Sequence, residues 1–398
     1  MKSLFYLTLW LLTLSSCTTP KKNKKADDHF ILKGTYHGEQ ADTLFLTYRD
    51  SSGNRVEYRT RLNKGAFVFK GRISSPIHAD LMSNIQIKPD RNPHFSDAVG
   101  LFLSPGDMTI SLDENHFDRA KLFGSATQDE WNNFQNTYIP INKVKDSLYE
   151  KMFAIERAGN TPKNHMAHVA IVKELDKYQL KSNKIDYNYI STHPQSFLSA
   201  YLLESFLGGD LPSDSIEQLY NPFSEAVKKS VSGKAIEKVI VNRRASAVGS
   251  TIRAPSGINT DGSRFNPQTL KIDNYLLLYF WADWANDNVR LKPIYNKYHS
   301  RGLDVLAISM DPFKKMWLDS VKKENISMWH NILSDPVANL DTFYNIRQMA
   351  PSLLLLVDKN HKIIGRYRGD GCKWYKFDYD EGDLIDLDKK LPEALATK

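Results

Sequence analysis

The stretch "YFWADWANDNVRLKP", from Tyr279 to Pro293, decides the fold of the C-terminal third of the chain. Its first three residues are the last three of the apolar run "YLLLYFW", which is typical of a buried strand. The polar residues Asp283, Asn286 and Asp287 come next and suit the N-cap and first turn of a helix. A helical pattern, "NVRLKPIYNKYHSRG", then begins. The stretch therefore predicts a strand, a tight turn and a helix in direct succession.

The rest of this region repeats the alternation of strand and helix. The segment "LDVLAISM" is typical of a second buried strand, and "KKMWLDSVKKEN" of a helix. The runs "SLLLLVD" and "KIIGRYR", joined by "KNHK", predict a pair of strands, and a last helix is expected from about Asp383 to Leu391. The order β-α-β-α-β-β-α predicts an α/β domain over residues 248–398.

This region resembles the thioredoxin-like domain of envelope proteins of the TlpA and AhpC/TSA type. Their pattern is Phe-Trp-Ala-x-Trp-Cys-x-x-Cys, with a proline five residues beyond the second cysteine. The chain has "FWADW" at positions 280–284, and Pro293 stands at the expected offset. Ala285 and Asn288 occupy the two cysteine positions. The resemblance implies a thioredoxin-like fold whose redox pair is missing.

The missing pair matters because disulfide exchange needs a thiolate, which a helix N-terminus stabilises, and a second thiol to resolve the mixed disulfide. Neither Ala285 nor Asn288 supplies a thiol. Only Cys17 and Cys372 are present in the whole sequence, so a chain whose Cys17 is lipidated has no internal disulfide. Cys372 is either an inert residue or a lone reactive thiol beside the old active-site surface.

The resemblance also implies a surface for binding an extended peptide. In the family a cis-proline and the residue before it, here Pro351 and Ala350, form such a groove. Trp281 and Trp284 are expected nearby, although a core position for Trp281 and a simple turn role for Pro351 stay open.

The N-terminus predicts a lipoprotein signal. Lys2 precedes the apolar run "LFYLTLWLLTL", which is too short to span a bilayer, and "LSSC" then ends at Cys17. This ending resembles the lipobox of bacterial lipoproteins. We expect residues 1–16 to be a signal peptide, and residues 17–29 to be a lipidated cysteine and a lysine-rich tether. The expected location is the envelope of a Gram-negative bacterium, on the outer membrane and facing the periplasm.

The middle of the chain has two different patterns. Residues 30–125 contain short strand-like runs, with a turn at Asn63-Lys64-Gly65 and another in "SPGD", and predict an all-β sandwich or barrel. Residues 126–247 are helical in pattern. This order resembles lipoproteins in which a β domain of unknown function precedes a thioredoxin-like domain. His165 and His168 lie three residues apart on a predicted helix, but no third ligand accompanies them, so we expect no metal site.

Composition narrows the functional classes. The chain of 398 residues is 41% hydrophobic and 25% charged, and its net charge of +7 is spread without a basic stripe, which argues against nucleic acid. The favoured function is non-catalytic binding of a peptide, protein or envelope component, with no cofactor. One alternative is a thiol-disulfide oxidoreductase or peroxiredoxin-like enzyme that uses Cys372 or a partner's cysteines. Another is a structural lipoprotein whose β domain binds the ligand.

Overall fold

The computed structural model describes residues 28–85, 97–159, 161–208, 213–269, 272–346, 351–369 and 384–396. Cys17, Ala350 and Cys372, which the sequence singled out, lie outside these residues. In the part of the chain that the structure describes, every helix is too short or too polar to cross a membrane.

The first region is a sandwich of two β-sheets. One sheet has the strand order β4-β1-β7-β8 and the other β3-β2-β5-β6. Its strands are β1 (His29–His37), β2 (Thr43–Arg49), β3 (Arg55–Arg61), β4 (Ala66–Arg72), β5 (Ile77–Ser83), β6 (Ala98–Leu103), β7 (Gly106–Asp113) and β8 (Lys121–Phe123). Strand β1 is an interior strand that pairs antiparallel with β4 and parallel with β7.

Alternating burial explains this sandwich. Along β4 the residues at positions 67 and 69 are buried and their neighbours are exposed, so one face of the strand enters the core. The predicted turn at Asn63-Lys64-Gly65 is present: Lys64 and Gly65 have φ of 51° and 77°, and Asn63 and Ala66 exchange two backbone hydrogen bonds of 2.9 Å. It does not close a hairpin, because β3 and β4 belong to different sheets. The prediction that "SPGD" closes a second hairpin is wrong, because β6 and β7 belong to different sheets.

The second region is helical. Its core lies among helices α4, α5 and α7 and includes Phe102 from strand β6, so it packs directly on the sandwich. The helices are α1 (Ala126–Gln135), α2 (Ile139–Arg157), α3 (Pro162–Thr192), α4 (Phe197–Ser205), α5 (Ser213–Tyr220), α6 (Glu225–Lys228) and α7 (Val231–Ala245).

The third region is an α/β domain. Its sheet has the order β14-β13-β10-β11-β12-β9. Strand β10 pairs parallel with β11 and antiparallel with β13. The elements are β9 (Gly257–Asn259), β10 (Tyr275–Trp281), α8 (Asn288–Tyr298), β11 (Leu303–Ser309), α9 (Lys314–Lys323), β12 (His330–Ser334), α10 (Leu340–Tyr344), β13 (Leu353–Asp358), β14 (Ile363–Arg368) and α11 (Leu384–Ala396).

This sheet is thioredoxin-like in its central strands, as predicted. Hydrophobic cores cover both of its faces, one formed with α8, α9 and α11 and the other with α10. Because both faces are covered, β10 and β13 read as continuous apolar runs. The predicted order lacked two strands and one helix: β12 pairs parallel with β11, β9 pairs antiparallel with β12 at the edge of the sheet, and α10 follows β12.

Candidate functional site

The candidate site is the turn that joins β10 to α8. Ala282 and Ala285 form two backbone hydrogen bonds with each other, of 3.1 and 3.0 Å, which close a tight turn. Trp284 lies at the tip of this turn and is 48% exposed. Helix α8 starts only at Asn288. Ala285 therefore lies before the helix rather than in its first turn.

The two positions that the family fills with cysteines are both buried. Ala285 is 1% exposed and Asn288 is fully buried. Neither the oxygen nor the nitrogen of the Asn288 amide has a hydrogen-bond partner among the described residues. A buried amide without partners is unfavourable, because it gives up hydrogen bonds to water and gains none in the protein. Ala285 and Asn288 thus supply no group that exchanges with a disulfide.

Asp287 connects the turn to the segment before β13. The Ser352 hydroxyl donates to the Asp287 carboxylate, and the Asp287 backbone N–H donates to the Tyr279 hydroxyl at 2.7 Å. Burial raises the pKa of Tyr279 well above its usual value, so its hydroxyl stays protonated. A Cβ built on Gly369 would overlap the Asp287 carboxylate and the Ser352 hydroxyl, so this position has room only for glycine. Segments from three parts of the chain therefore converge on Asp287.

Asp283 connects the turn to the segments after β11 and in α9 through two hydrogen bonds. Its backbone N–H donates to Asp311 at 3.0 Å, and its carboxylate accepts from the Ser320 hydroxyl at 2.6 Å. Of the three polar residues expected at the N-cap and first turn of α8, Asp283 and Asn286 lie before the helix, so the expectation is met in position by Asp287 alone. Asp287 is the N-cap residue but makes no side-chain cap hydrogen bond, because its carboxylate binds Ser352 instead.

A groove of 730 Å³ lies beside this turn. Its lining residues are Asp283, Phe313, Lys315, Met316, Asp319, Ser320 and Lys323. We name it the Trp284 groove after the exposed residue that follows Asp283 in the chain, although Trp284 does not itself line it. Phe313 is 67% exposed and Met316 37% exposed. Large apolar side chains exposed together are typical of interaction surfaces. Phe313 and Met316 were not predicted from the sequence, although they are three residues apart at the start of α9.

The other predicted binding residues lie elsewhere. Trp281 is fully buried, and its ring stacks on Tyr279 with centroids 6.4 Å apart, so its role is in the core and not in a surface groove. Pro351 is buried where the chain enters β13. Its partner in the predicted groove, Ala350, lies outside the described residues, as does Cys372.

The two histidines of the helical region do not form a metal site with neighbours that the structure describes. His168 on α3 lies 3.3 Å from Glu156 on α2, and His165 is exposed. Within the described ranges there is no group of three or more histidine, cysteine, aspartate or glutamate side chains that would hold a metal ion.

A second cavity, of 680 Å³, lies between the outer face of β2, β5 and β6 and helices α4 and α7. His78 stacks on Tyr201 across it with ring centroids 4.7 Å apart. Burial lowers the pKa of His78, so the ring is neutral near pH 7. Arg49 and Arg55 stand at one end of the cavity and Glu204 borders it. Its mixed aromatic and charged lining is typical of sites for polar organic ligands.

Comparison with known protein families gives a match for the β region. Residues 30–131 match the model of a domain family of unknown function, DUF4369. No curated protein matches the chain.

Solved structures similar to part of the chain include thiol-disulfide oxidoreductases and a thioredoxin domain of one. The thioredoxin domain of a Bacteroides vulgatus thiol-disulfide oxidoreductase is 26% identical, with 31% of this chain and 91% of that chain covered and a TM-score of 0.28. A thiol:disulfide interchange protein from Bacteroides sp. is 22% identical, with coverage of 31% and 82% and a TM-score of 0.28. A thiol-disulfide oxidoreductase from Bacteroides fragilis is 22% identical, with coverage of 32% and 95% and a TM-score of 0.26.

Proposed function

We propose that the chain is a lipid-anchored protein of the cell envelope whose thioredoxin-like domain binds a peptide or protein and does not exchange disulfides. Lipid on Cys17 would hold it on the outer membrane, facing the periplasm. The signal-like N-terminus and the "LSSC" motif support the anchor. Fold alone does not define activity, so the proposal for the domain rests on its site.

The observation that carries this proposal is the turn itself. Ala285 and Asn288 replace both cysteines, and both are buried. The Ser352 hydroxyl, a weak nucleophile that contacts the turn, is buried and donates to Asp287. A substrate disulfide at this surface would meet neither a thiol nor an accessible hydroxyl from these residues.

The Trp284 groove is the surface that remains for binding. Trp284 and Phe313 offer large rigid apolar areas, which are common anchors in protein interfaces. Lys315 and Lys323 stand at the same groove. Lys315 already pairs with Asp319 at 2.6 Å, whereas Lys323 is 3.9 Å from Asp283, a weaker contact. An extended segment with an apolar side chain and a neighbouring carboxylate fits this arrangement.

A photo-cross-linking experiment tests the groove. A photoreactive phenylalanine analogue replaces Trp284 in the full chain, and the cells are irradiated. The matched control carries the analogue at Val337, which is 84% exposed in the same domain. We expect a discrete adduct from position 284 that Phe313→Ala weakens, and none from position 337. Equal adducts from both positions, or none from position 284, would contradict binding at the groove.

An insulin-reduction assay tests the absence of redox activity. With dithiothreitol as reductant, the full chain in detergent should give the same rate as the protein-free control. A higher rate that disappears in Cys372→Ser would favour the oxidoreductase alternative.

The 680 Å³ cavity favours a second candidate, in which the β region binds the ligand. The stacked His78 and Tyr201 form an aromatic wall for a polar organic molecule. A photoreactive residue at Ser205, which borders this cavity, is the test. An adduct from position 205 together with none from position 284 would indicate that the β region, and not the Trp284 groove, binds the ligand.

A further inference from the structure

Helices α2 and α3 form a long hairpin that is largely outside the hydrophobic cores. None of the residues of α2, all of which are described, is buried, and in α3 only Ser182 and Ile190 are buried. The two helices contact each other; Lys145 on α2, for example, donates to Gln179 on α3 at 3.0 Å. Among the described residues, the base of the hairpin joins the core of the helical region through Ile190, with Ile185 and Tyr189 packed against that core.

One exposed side of α3 carries four large apolar residues. These residues, which we name the α3 stripe, are 37% to 73% exposed: Met166, Val169, Leu180 and Tyr187. Their numbers fit a heptad pattern, with 166, 173, 180 and 187 at one position and 169, 176 and 183 at the other. Positions repeating every 3.5 residues share one helix face, and this spacing defines a coiled-coil surface.

The remaining heptad positions are polar. Lys173, Asp176 and Asn183 occupy them in the middle and toward the end of the stripe. Lys173 and Asp176 are exposed, and neither forms an ion pair with another residue that the structure describes. Glu174 and Lys177 pair with each other at 2.7 Å instead. The stripe therefore has an apolar residue pair on each side of two unpaired opposite charges.

We propose that the α3 stripe binds the same stripe of a second copy of this chain, with the two helices antiparallel. In the antiparallel register that sets Lys173 against Asp176 of the partner subunit, the reciprocal pair forms by symmetry. The same register sets Val169 against Leu180 of the partner subunit and Met166 against Asn183 of the partner subunit. One apolar pair, Val169 with Leu180 of the partner subunit or the reverse, therefore lies on each side of the two ion pairs.

The charges disfavour a parallel pairing of the two stripes. A parallel pair in register would place Lys173 beside Lys173 of the partner subunit and Asp176 beside Asp176 of the partner subunit. Like charges at facing coiled-coil positions are destabilising. A second copy is the natural occupant because the stripe is self-complementary only in the antiparallel sense, as a two-fold interface requires.

Charge reversal tests this arrangement. The full chain in mild detergent is analysed by sedimentation equilibrium across a wide range of concentration, and we expect a reversible dimer. Lys173→Asp and Asp176→Lys each turn two attractions into two repulsions and should raise the dissociation constant about tenfold or more. The double variant, with both changes, restores opposite charges and should recover the dimer.

Two further variants complete the design. Leu180→Glu places a charge in the apolar part of the stripe and should give a monomer with an unchanged circular dichroism spectrum. Lys151→Asp, the same charge reversal on an exposed position of α2, should leave the dimer intact. A native chain that is monomeric at every concentration would overturn the proposal. A double variant that dissociates as readily as the single ones would overturn it as well.

Discussion

The unpartnered amide of Asn288 predicts that a substitution at this buried position will stabilise the domain, whereas most substitutions in a core destabilise it. Leucine has the same number of side-chain heavy atoms as asparagine and branches at the same carbon, so Asn288→Leu changes chemistry more than shape. Asn288 is fully buried, and neither amide atom has a partner among the described residues. Burying a polar group such as this amide without a partner costs about 1–3 kcal/mol, and the added apolar burial of leucine contributes about 1 kcal/mol. We expect Asn288→Leu to raise the free energy of unfolding of this domain by about 2–4 kcal/mol.

Asn331 on β12 is the matched control. It is also buried, but its Nδ2 donates to the carbonyl oxygens of Ile326 and Trp329, both at 2.8 Å. Asn331→Leu leaves two carbonyls without this donor. Its own Oδ1 has no partner among the described residues, and removing it offsets part of the cost. We expect a loss of about 1–3 kcal/mol, opposite in sign to Asn288→Leu.

Urea unfolding followed by tryptophan fluorescence measures both changes. Trp281, Trp317 and Trp329 are buried in this domain, so its unfolding dominates the signal. The transition midpoint should rise for Asn288→Leu and fall for Asn331→Leu, with the slopes unchanged. If Asn288→Leu lowered the midpoint by as much as the control does, Asn288 would have a bound water or ligand as partner, and the reasoning would be refuted.

Three other predictions follow from the site, the anchor and the helical hairpin. Ala285→Cys with Asn288→Cys, in a Cys372→Ser background, should form an internal disulfide in air, seen as a mass loss of two hydrogens; a folded protein with two free thiols would contradict the thioredoxin-like turn. Cys17→Ala should remain uncleaved and without lipid by mass spectrometry, and a variant that still carries lipid would disprove the anchor. Burial raises the pKa of Asp186 to about 6, above its unfolded value, so this group favours the folded state at low pH and loses that contribution as the pH rises through about 6. Asp186→Asn should therefore be more stable than the native chain by about 1–2 kcal/mol at pH 7 and nearly equal to it at pH 4, and equal differences at both pH values would contradict this.

The sequence predicted the strand-turn-helix unit because its signals are local. The apolar run that forms β10 (Tyr275–Trp281) is buried on both faces, and the helical pattern after it became α8 (Asn288–Tyr298). The sequence did not predict β12 (His330–Ser334). This strand is short and starts with two polar residues, and its pairing with β11 and β9 defines it, not its own pattern.

The partners within the site were less predictable. Asp287 and Ser352 are 65 residues apart, and no local pattern links them. Aspartate before a helix usually caps it, so the capping prediction followed the statistics, but the tertiary contact with Ser352 prevailed. Burial of Trp281 likewise depends on the whole sheet. The α3 stripe, in contrast, is visible as a heptad once α3 is known to be one continuous helix of 31 residues.

The interior position of β1 has a mechanical consequence. The strand begins at His29, just after the predicted tether, and runs parallel to β7 (Gly106–Asp113), whose far end leads into the rest of the chain. A force between the membrane and the C-terminal region would pull these two strands from opposite ends. It would shear their ladder of hydrogen bonds together instead of opening it one bond at a time. The β region would then resist tension as a clamp, and single-molecule pulling from residues 28 and 398 should find it among the last regions to unfold.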